Sequence, residues 1–252
     1  MLAHRNTAPR EAYPNPHSGP APMARLDQVT MDTPRKRVLD RVSLDINPGE
    51  VVRLIGDSGS GKTSMMRMLI GLEKPTGGTV EVFGYDTAAM SRRARKQQIA
   101  QGCGIVFQSY PLLGNFSGAD NIFLPHEQRG IRFDVAARSR VAGLVGAVGL
   151  RVGQLAGRAS ELSGGEAQRI SFVSALAHEP HLLLMDEPTS AQDPKKKAIM
   201  YQMVRDYVDE VPESRAALVI THDHIQRGIV NRQVEVTDGH ITTPLWPTAP
   251  TA

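Results

Sequence analysis

A chain of 252 residues, 40% apolar and 22% charged, is long enough for one large domain or two small ones and is no low-complexity polymer. Its 29 basic residues are nearly balanced by 26 acidic ones. The formal net charge of +3 therefore gives too weak a field to argue for nucleic acid, even with an isoelectric point near 9.1. One cysteine, Cys103, excludes an internal disulfide framework and fits a reducing compartment.

Residues 1–22 hold five prolines (Pro9, Pro14, Pro16, Pro20, Pro22) and no Ile, Val or Phe, so a disordered Pro-rich tail is expected. Arg5 and Arg10 have no apolar segment behind them, so no secretory signal is read there. Residues 25–29 and 42–46 alternate at period two, as half-buried strands do. After the turn Asn47-Pro48-Gly49, residues 51–55 form a short apolar strand, and residues 62–72 read as a helix. Strands are expected at 79–83 and 104–107. Residues 97–119 carry no charge, but Gln97, Gln98, Gln101, Gln108, Pro111 and Asn115 interrupt them, so no membrane span is expected. The run Arg92-Arg93-Ala94-Arg95-Lys96 lacks interleaved aromatics and reads as a solvated helix face.

From about residue 109 to 159 the pattern is less regular and mostly helical. A second alternation follows: helix 164–177, strand 181–185, helix 194–210, strand 216–220, and two short segments at 233–236 and 240–242. Apolar strands alternating with helices imply an α/β fold with a mainly parallel sheet covered on both faces. The domain is drawn as residues 23–243, with an inserted helical subdomain at about 109–167 and a C-terminal tail at 244–252.

Three motifs carry chemistry. Gly56-Asp57-Ser58-Gly59-Ser60-Gly61-Lys62-Thr63, followed by Ser64, matches G-x-x-x-x-G-K-[ST] between a predicted strand and a predicted helix. The glycines let successive N–H groups point at phosphate oxygens, and the helix start adds a positive dipole end. Lys62 is expected to reach the β- and γ-phosphates, and the Thr63 hydroxyl to ligate Mg²⁺. Next, Leu182-Leu183-Leu184-Met185-Asp186-Glu187 places two carboxylates at the end of a buried strand. Asp186 is placed to hold Mg²⁺ through water, and Glu187 to orient or deprotonate an attacking water. Finally, Leu162-Ser163-Gly164-Gly165-Glu166 forms a capping box, yet two glycines in the first helical turn cost stability. They let another backbone or an anionic ligand come close.

With these motifs together, the chain resembles the ATP-binding cassette ATPases, the nucleotide-binding subunits of ABC transporters, from about Ala24 to Thr243. The resemblance implies a P-loop core with an antiparallel β subdomain and the inserted helical subdomain. Residues 162–166 match the family's signature sequence, so Ser163, Gly164, Gly165 and Glu166 are implied to meet the ATP of a second cassette, head to tail. Gln108 matches the Q-loop glutamine, implied to touch Mg²⁺ and to signal to the membrane domain. Ser190-Ala191-Gln192-Asp193 looks like the D-loop, and His222 in Thr221-His222-Asp223 matches the switch histidine. The implied catalytic set is Glu187, His222 and Gln108, with Thr63, Gln108 and Asp186 around the metal. ATP and Mg²⁺ are the implied cofactors, and an integral membrane permease and a second cassette the implied partners. Nucleic acid is not among them.

The implied location is cytoplasmic, on the inner face of the membrane through the permease. Within the family, residues 108–113, Asp120-Asn121-Ile122 and Leu124-Pro125 look most like the lipoprotein-releasing and macrolide-exporter ATPases. A soluble cassette acting on nucleic acid or ribosomes is the alternative, but such proteins usually carry two cassettes or a long inserted coiled coil. The N-K-x-D and D-x-x-G motifs of GTPases do not occur. Three departures stand out: no aromatic near Thr33 to stack on adenine, Gln192 for a common leucine, and Asp57 for a common proline.

Overall fold

The computed structural model describes residues 21–109 and 111–242. The two expected tails therefore lie almost wholly outside the described residues. Met23 is already part of the fold: its N–H donates to the Ile46 carbonyl at 2.7 Å and its carbonyl accepts from Phe83 at 2.9 Å.

Two sheets organise the chain. Strands β1 (Ala24–Asp32), β2 (Arg37–Ile46), β4 (Gly77–Val82) and β5 (Tyr85–Asp86) form an antiparallel sheet in the order β2-β1-β4-β5. The larger sheet runs β10-β9-β3-β8-β7-β6. Its strands are β3 (Val51–Ile55), β6 (Cys103–Val106), β7 (Leu182–Asp186), β8 (Ala216–Ile220), β9 (Arg232–Thr237) and β10 (His240–Thr242). All its pairings are parallel except β10 on β9. Helices α1 (Lys62–Leu69), α2 (Arg92–Gly102), α3 (Gly118–Glu127), α4 (Val135–Ala147), α5 (Gly164–Ala177) and α6 (Pro194–Glu210) complete the fold.

The unbroken apolar runs of β7 and β8 are explained by two cores, one on each sheet face. Leu182 and Leu184 pack with Leu54, Leu218, the α1 methionines and the inner face of the antiparallel sheet. Leu183 and Met185 point the other way, onto α5, α6 and the helices α3 and α4. Successive strand residues thus serve opposite cores. Cys103 is buried in the first core, and burial pushes its thiol up to about 12, so it is inert.

Several boundaries differ from the sequence reading, each for a local reason. β1 and β2 extend beyond the period-two segments, because β1 slips register between Leu26 and Val29, where Gln28 has a positive φ of 48°. α1 ends at Leu69, not residue 72: Gly71 adopts φ +70° and donates to the Met68 carbonyl. Between α4 and α5 the chain makes two short 3-10 turns, Val152–Ala156 and Ala159–Glu161. Among the described residues no helix is long and apolar enough to cross a membrane.

The helices at 118–177 enclose a stacked histidine pair, His126 on His178, with ring centroids 4.3 Å apart. The His126 Nε2 lies 2.9 Å from the Ser174 carbonyl, which assigns the proton to Nε2 and leaves Nδ1 buried without a partner. Burial, aided by the Arg129 charge, pulls His126 down to about 4. A histidine depressed on folding contributes stability above its unfolded value, near 6.5, and that contribution is lost as pH falls toward 4. The full effect is roughly 3 kcal/mol. The wild-type melting temperature should therefore fall more steeply between pH 7 and 5 than that of His126→Gln, which keeps a donor for Ser174. Parallel slopes in the two melting series would show that His126 contributes nothing.

Candidate nucleotide site

The site begins with a contrast among helix starts. Helices α2 to α6 each open on a side-chain cap: Ser91, Ser117, Asp134, Ser163 and Asp193 accept from an amide in the first turn. α1 opens on Gly61 at φ +107° with no side-chain cap, so its first amides are left for an anion. Two loop glycines are set by packing. A Cβ on Gly56 would meet the Val236 carbonyl at 2.1 Å, and one on Gly61 would meet Leu39 at 2.4 Å. Gly59 differs: its φ is +79°, and a Cβ there would meet nothing within 4 Å. The loop therefore faces open space at this position.

The Lys62 ammonium is turned into the loop. It donates to the carbonyls of Gly56 (2.7 Å) and Asp57 (2.8 Å) and lies 3.4 Å from Ser60 Oγ. Burial pulls the ammonium below its usual range, against the attraction of Asp186, Glu187 and Asp57. Asp57 and Ser58 are exposed at the loop tip, and Ser64 is half-buried in the first turn of α1.

Parallel pairing brings the remaining groups to the same strand ends. Thr63 Oγ1 donates to Asp186 Oδ2 at 2.8 Å across 123 residues. Glu187 follows at the end of β7 with a positive φ of 48°, a conformation that costs a non-glycine residue about 1–2 kcal/mol. Its backbone is held there by the Ile220 carbonyl at 2.8 Å and by Gln168 Nε2 at 3.1 Å. Its Oε1 accepts from the His222 N–H at 3.2 Å, and its Oε2 from the Thr221 hydroxyl at 3.1 Å. The His222 imidazole is 64% exposed, with Nε2 3.9 Å from Glu187 Oε1. It therefore has room to turn toward a ligand.

Gln108 is exposed two residues beyond Val106, which pairs with Met185 of β7, so the Q-loop starts alongside the acid pair. Tyr110 lies outside the described residues. The sequence reading missed the buckle that closes this loop. Asn121 accepts from the Leu113 N–H at 2.7 Å and donates to the Leu113 and Ser117 carbonyls. Leu113 and Phe116 remain nearly half exposed.

At the signature helix the capping box forms as read. Glu166 N–H donates to Ser163 Oγ at 3.3 Å, and Glu166 Oε2 accepts from the Ser163 N–H at 2.9 Å. Those Ser163 donors hold the Glu166 carboxyl below its usual range, and Gln154 occupies its other oxygen at 3.0 Å. Both Glu166 oxygens are thus engaged inside the chain. The glycine pair divides in a way the sequence did not reveal. A Cβ on Gly165 would press the chain's own Ala191 carbonyl at 3.0 Å, so this glycine admits the D-loop of the same chain. Gly164 is exposed. Gln192, which departs from the usual leucine, is buried. It donates to the Gly165 carbonyl at 2.8 Å and to Gln168 at 3.0 Å, and accepts from Arg169 at 2.7 Å.

An uncapped glycine-rich helix start beside a strand-end acid pair, on a parallel sheet, defines a phosphate-loop nucleoside triphosphatase. The family model for the ABC transporter matches residues 39–190, more than half the chain, and the chain belongs to that family. It is the ATP-binding, ATP-hydrolysing subunit of an ABC transporter. It is 40% identical over 205 residues to the lipoprotein-releasing system ATP-binding protein LolD of Maricaulis maris (strain MCS10), covering 81% of this chain and 88% of that protein. It is 34% identical over 215 residues to the macrolide export ATP-binding/permease protein MacB of Azoarcus sp. (strain BH72), covering 85% of this chain but 32% of that longer protein. Among solved structures it resembles the ATP-binding cassette MJ0796, in a dimeric post-hydrolysis state bound to ADP and Pi. The TM-score is 0.79 at 28% identity, over 88% of this chain and 97% of that one.

Proposed function

We propose that this cassette spans about residues 23–243, pairs head to tail with a second copy or a homologous cassette, and drives a permease that exports or extracts substrate from the membrane. It would then sit at the cytoplasmic face of the inner membrane through that permease. The observation that carries the catalytic part is the convergence of Lys62, Thr63, Asp186, Glu187 and His222 on one set of strand ends. The export direction is supported by the likeness to LolD and MacB. The half-exposed Leu113 and Phe116, which follow Gln108 in the chain, offer a permease an apolar contact.

In this reading the phosphates of ATP replace the loop carbonyls as partners of Lys62. The amides of residues 59–64 and the start of α1 hold them. The Thr63 hydroxyl and the Asp186 carboxylate, already 2.8 Å apart, are hard oxygen donors that fit Mg²⁺, with Gln108 approaching from the Q-loop. Among the described residues no group of three or more His, Cys, Asp or Glu side chains is arranged so that it could hold a metal ion by itself. The phosphates would therefore supply much of the coordination, and Mg²⁺ would neutralise their charge. Glu187 accepts the proton of the attacking water as the general base, held by Thr221 and the His222 amide. His222 turns its exposed ring toward the γ-phosphate. Ser163, Gly164 and Gly165 face the ATP of the opposite subunit, with Glu166 shaping that helix start through its cap.

Ser163→Arg tests the arrangement. It should abolish ATP-driven dimerisation, read by light scattering, while ATP binding by the monomer, read by calorimetry, stays nearly unchanged. Equal loss of monomer binding would contradict the head-to-tail assignment.

A further inference from the structure

A buried chain of hydroxyls leads from Glu187 into helix α6. Glu187 Oε2 accepts from Thr221 Oγ1, and Thr221 Oγ1 lies 3.1 Å from the Tyr201 hydroxyl. The Tyr201 hydroxyl also meets Thr189 Oγ1 at 2.7 Å and Asp223 Oδ2 at 3.0 Å. Thr189 Oγ1 is 2.6 Å from that same Asp223 oxygen, and Lys197 pairs with the other. Thr189, Tyr201 and Thr221 are all buried.

Counting protons orients the end of the chain at Glu187. Each hydroxyl has one to give, and an ionised carboxylate only accepts. Thr221 gives its proton to Glu187, and its oxygen then accepts from the Asp223 N–H at 3.0 Å. Thr189 gives its proton to Asp223. Tyr201 then has one proton for three acceptors, Thr221, Thr189 and Asp223 Oδ2, and given to Thr221 it completes the order Tyr201 to Thr221 to Glu187. Core packing alone would be served as well by phenylalanine. Of the other buried positions of α6, Met200, Val204 and Val208 are apolar and Arg205 pairs with Asp209, and a buried hydroxyl is costly unless bonded.

A second anchor reaches the same loop from below. Arg53 places a guanidinium in the otherwise apolar strand β3, where it donates to the Asp223 carbonyl and to Gln233 Oε1 at 2.8 Å. The loop Thr221-His222-Asp223 is therefore held at its first hydroxyl, its last carboxylate and its last carbonyl. Only the His222 ring is left free to move.

We propose that Tyr201 is a positioning residue for hydrolysis. Its hydroxyl aims the Glu187 carboxylate through Thr221 and, with Asp223 and Arg53, fixes the loop that carries His222. The inference rests on the reading of Glu187 as the base. Tyr201→Phe should lower kcat about tenfold, the worth of one hydrogen bond to a charged relay, while KM for ATP and ATP affinity stay within about twofold. Thr221→Val interrupts the same chain and should match it, and the double variant should lose no more than the larger single loss. Tyr207→Phe is the control. Its hydroxyl donates to the Pro180 carbonyl at 2.7 Å, on the same helix but outside the relay, so it should lower melting temperature and leave kcat alone.

A Tyr201→Phe protein that melts lower but keeps its kcat would overturn the proposal. So would a further tenfold loss when Tyr201→Phe is added to Glu187→Gln, because Tyr201 would then act elsewhere. A wild-type rate in Glu187→Gln alone instead overturns the underlying assignment of the base, a result read independently of Tyr201.

Discussion

Glu187→Gln is expected to lower ATP hydrolysis by at least a hundredfold and to leave ATP binding intact. The substitution keeps the size of the side chain and an oxygen that can accept from the His222 amide or from Thr221. What it removes is the proton acceptor, and loss of a positioned general base typically costs 10²- to 10⁴-fold. Lys62, Thr63 and the α1 amides are untouched, so phosphate binding persists. With hydrolysis blocked, the ATP-bound dimer should accumulate and elute as a stable species on gel filtration. Steady-state phosphate release decides the matter: hydrolysis at the wild-type rate would remove Glu187 from the role of base.

Nucleotide binding is expected to be weak and nearly blind to the base, with ATP and GTP dissociation constants within about threefold. Base-on-aromatic stacking is worth roughly 1–3 kcal/mol, so its loss weakens binding about tenfold or more. The structure narrows the substitutes. Arg37 is spoken for, with its guanidinium on Asp32 at 2.8 Å and on Asp40 at 3.1 Å. Thr33 is tied into the β1–β2 turn through Lys36, donating to its carbonyl at 2.7 Å and accepting from its N–H at 3.1 Å. A tyrosine at position 33 would lose both side-chain bonds and keep only the backbone N–H bond to the Lys36 carbonyl at 2.9 Å, so it loosens the turn and is a poor test of stacking. Lys36 reaches the phosphate loop, with Nζ 3.5 Å from the Gly59 carbonyl, and Arg35 is exposed beside it. Calorimetric titrations of ATP and GTP into wild type, Arg35→Ala, Lys36→Ala and Arg37→Ala check this. Arg37→Ala should change neither constant, and Lys36→Ala should weaken both nucleotides alike. Tight, adenine-selective binding that survives all three changes would mean that another group reads the base.

The residues alone disclose what local chemistry dictates. The phosphate loop, the acid pair after four apolar residues and the capping box at Ser163 each depend on neighbours within a few positions, so their spacing suffices to read them. The boundaries of β3, α5, α6, β8 and β10 follow from periodicity and punctuation and match the structure to the residue. The helical region was legible only in outline. Pro125 sits inside α3, and two 3-10 turns interrupt the chain before α5, which blurs a period of 3.6. The tertiary structure decided whatever depends on partners far along the chain. Asp186 meets Thr63 across 123 residues, and Glu187 meets the His222 amide across 35, because parallel strands end together. Gly165 owes its size to the D-loop carbonyl that lies on it, and Gln192 its place to Arg169, 23 residues away. Tyr201 reads as one more core aromatic on α6 until β7 and β8 bring Thr189, Thr221 and Asp223 around its hydroxyl. Side-chain identity sets what each group can donate or accept, but only the packed sheet sets which donor meets which acceptor.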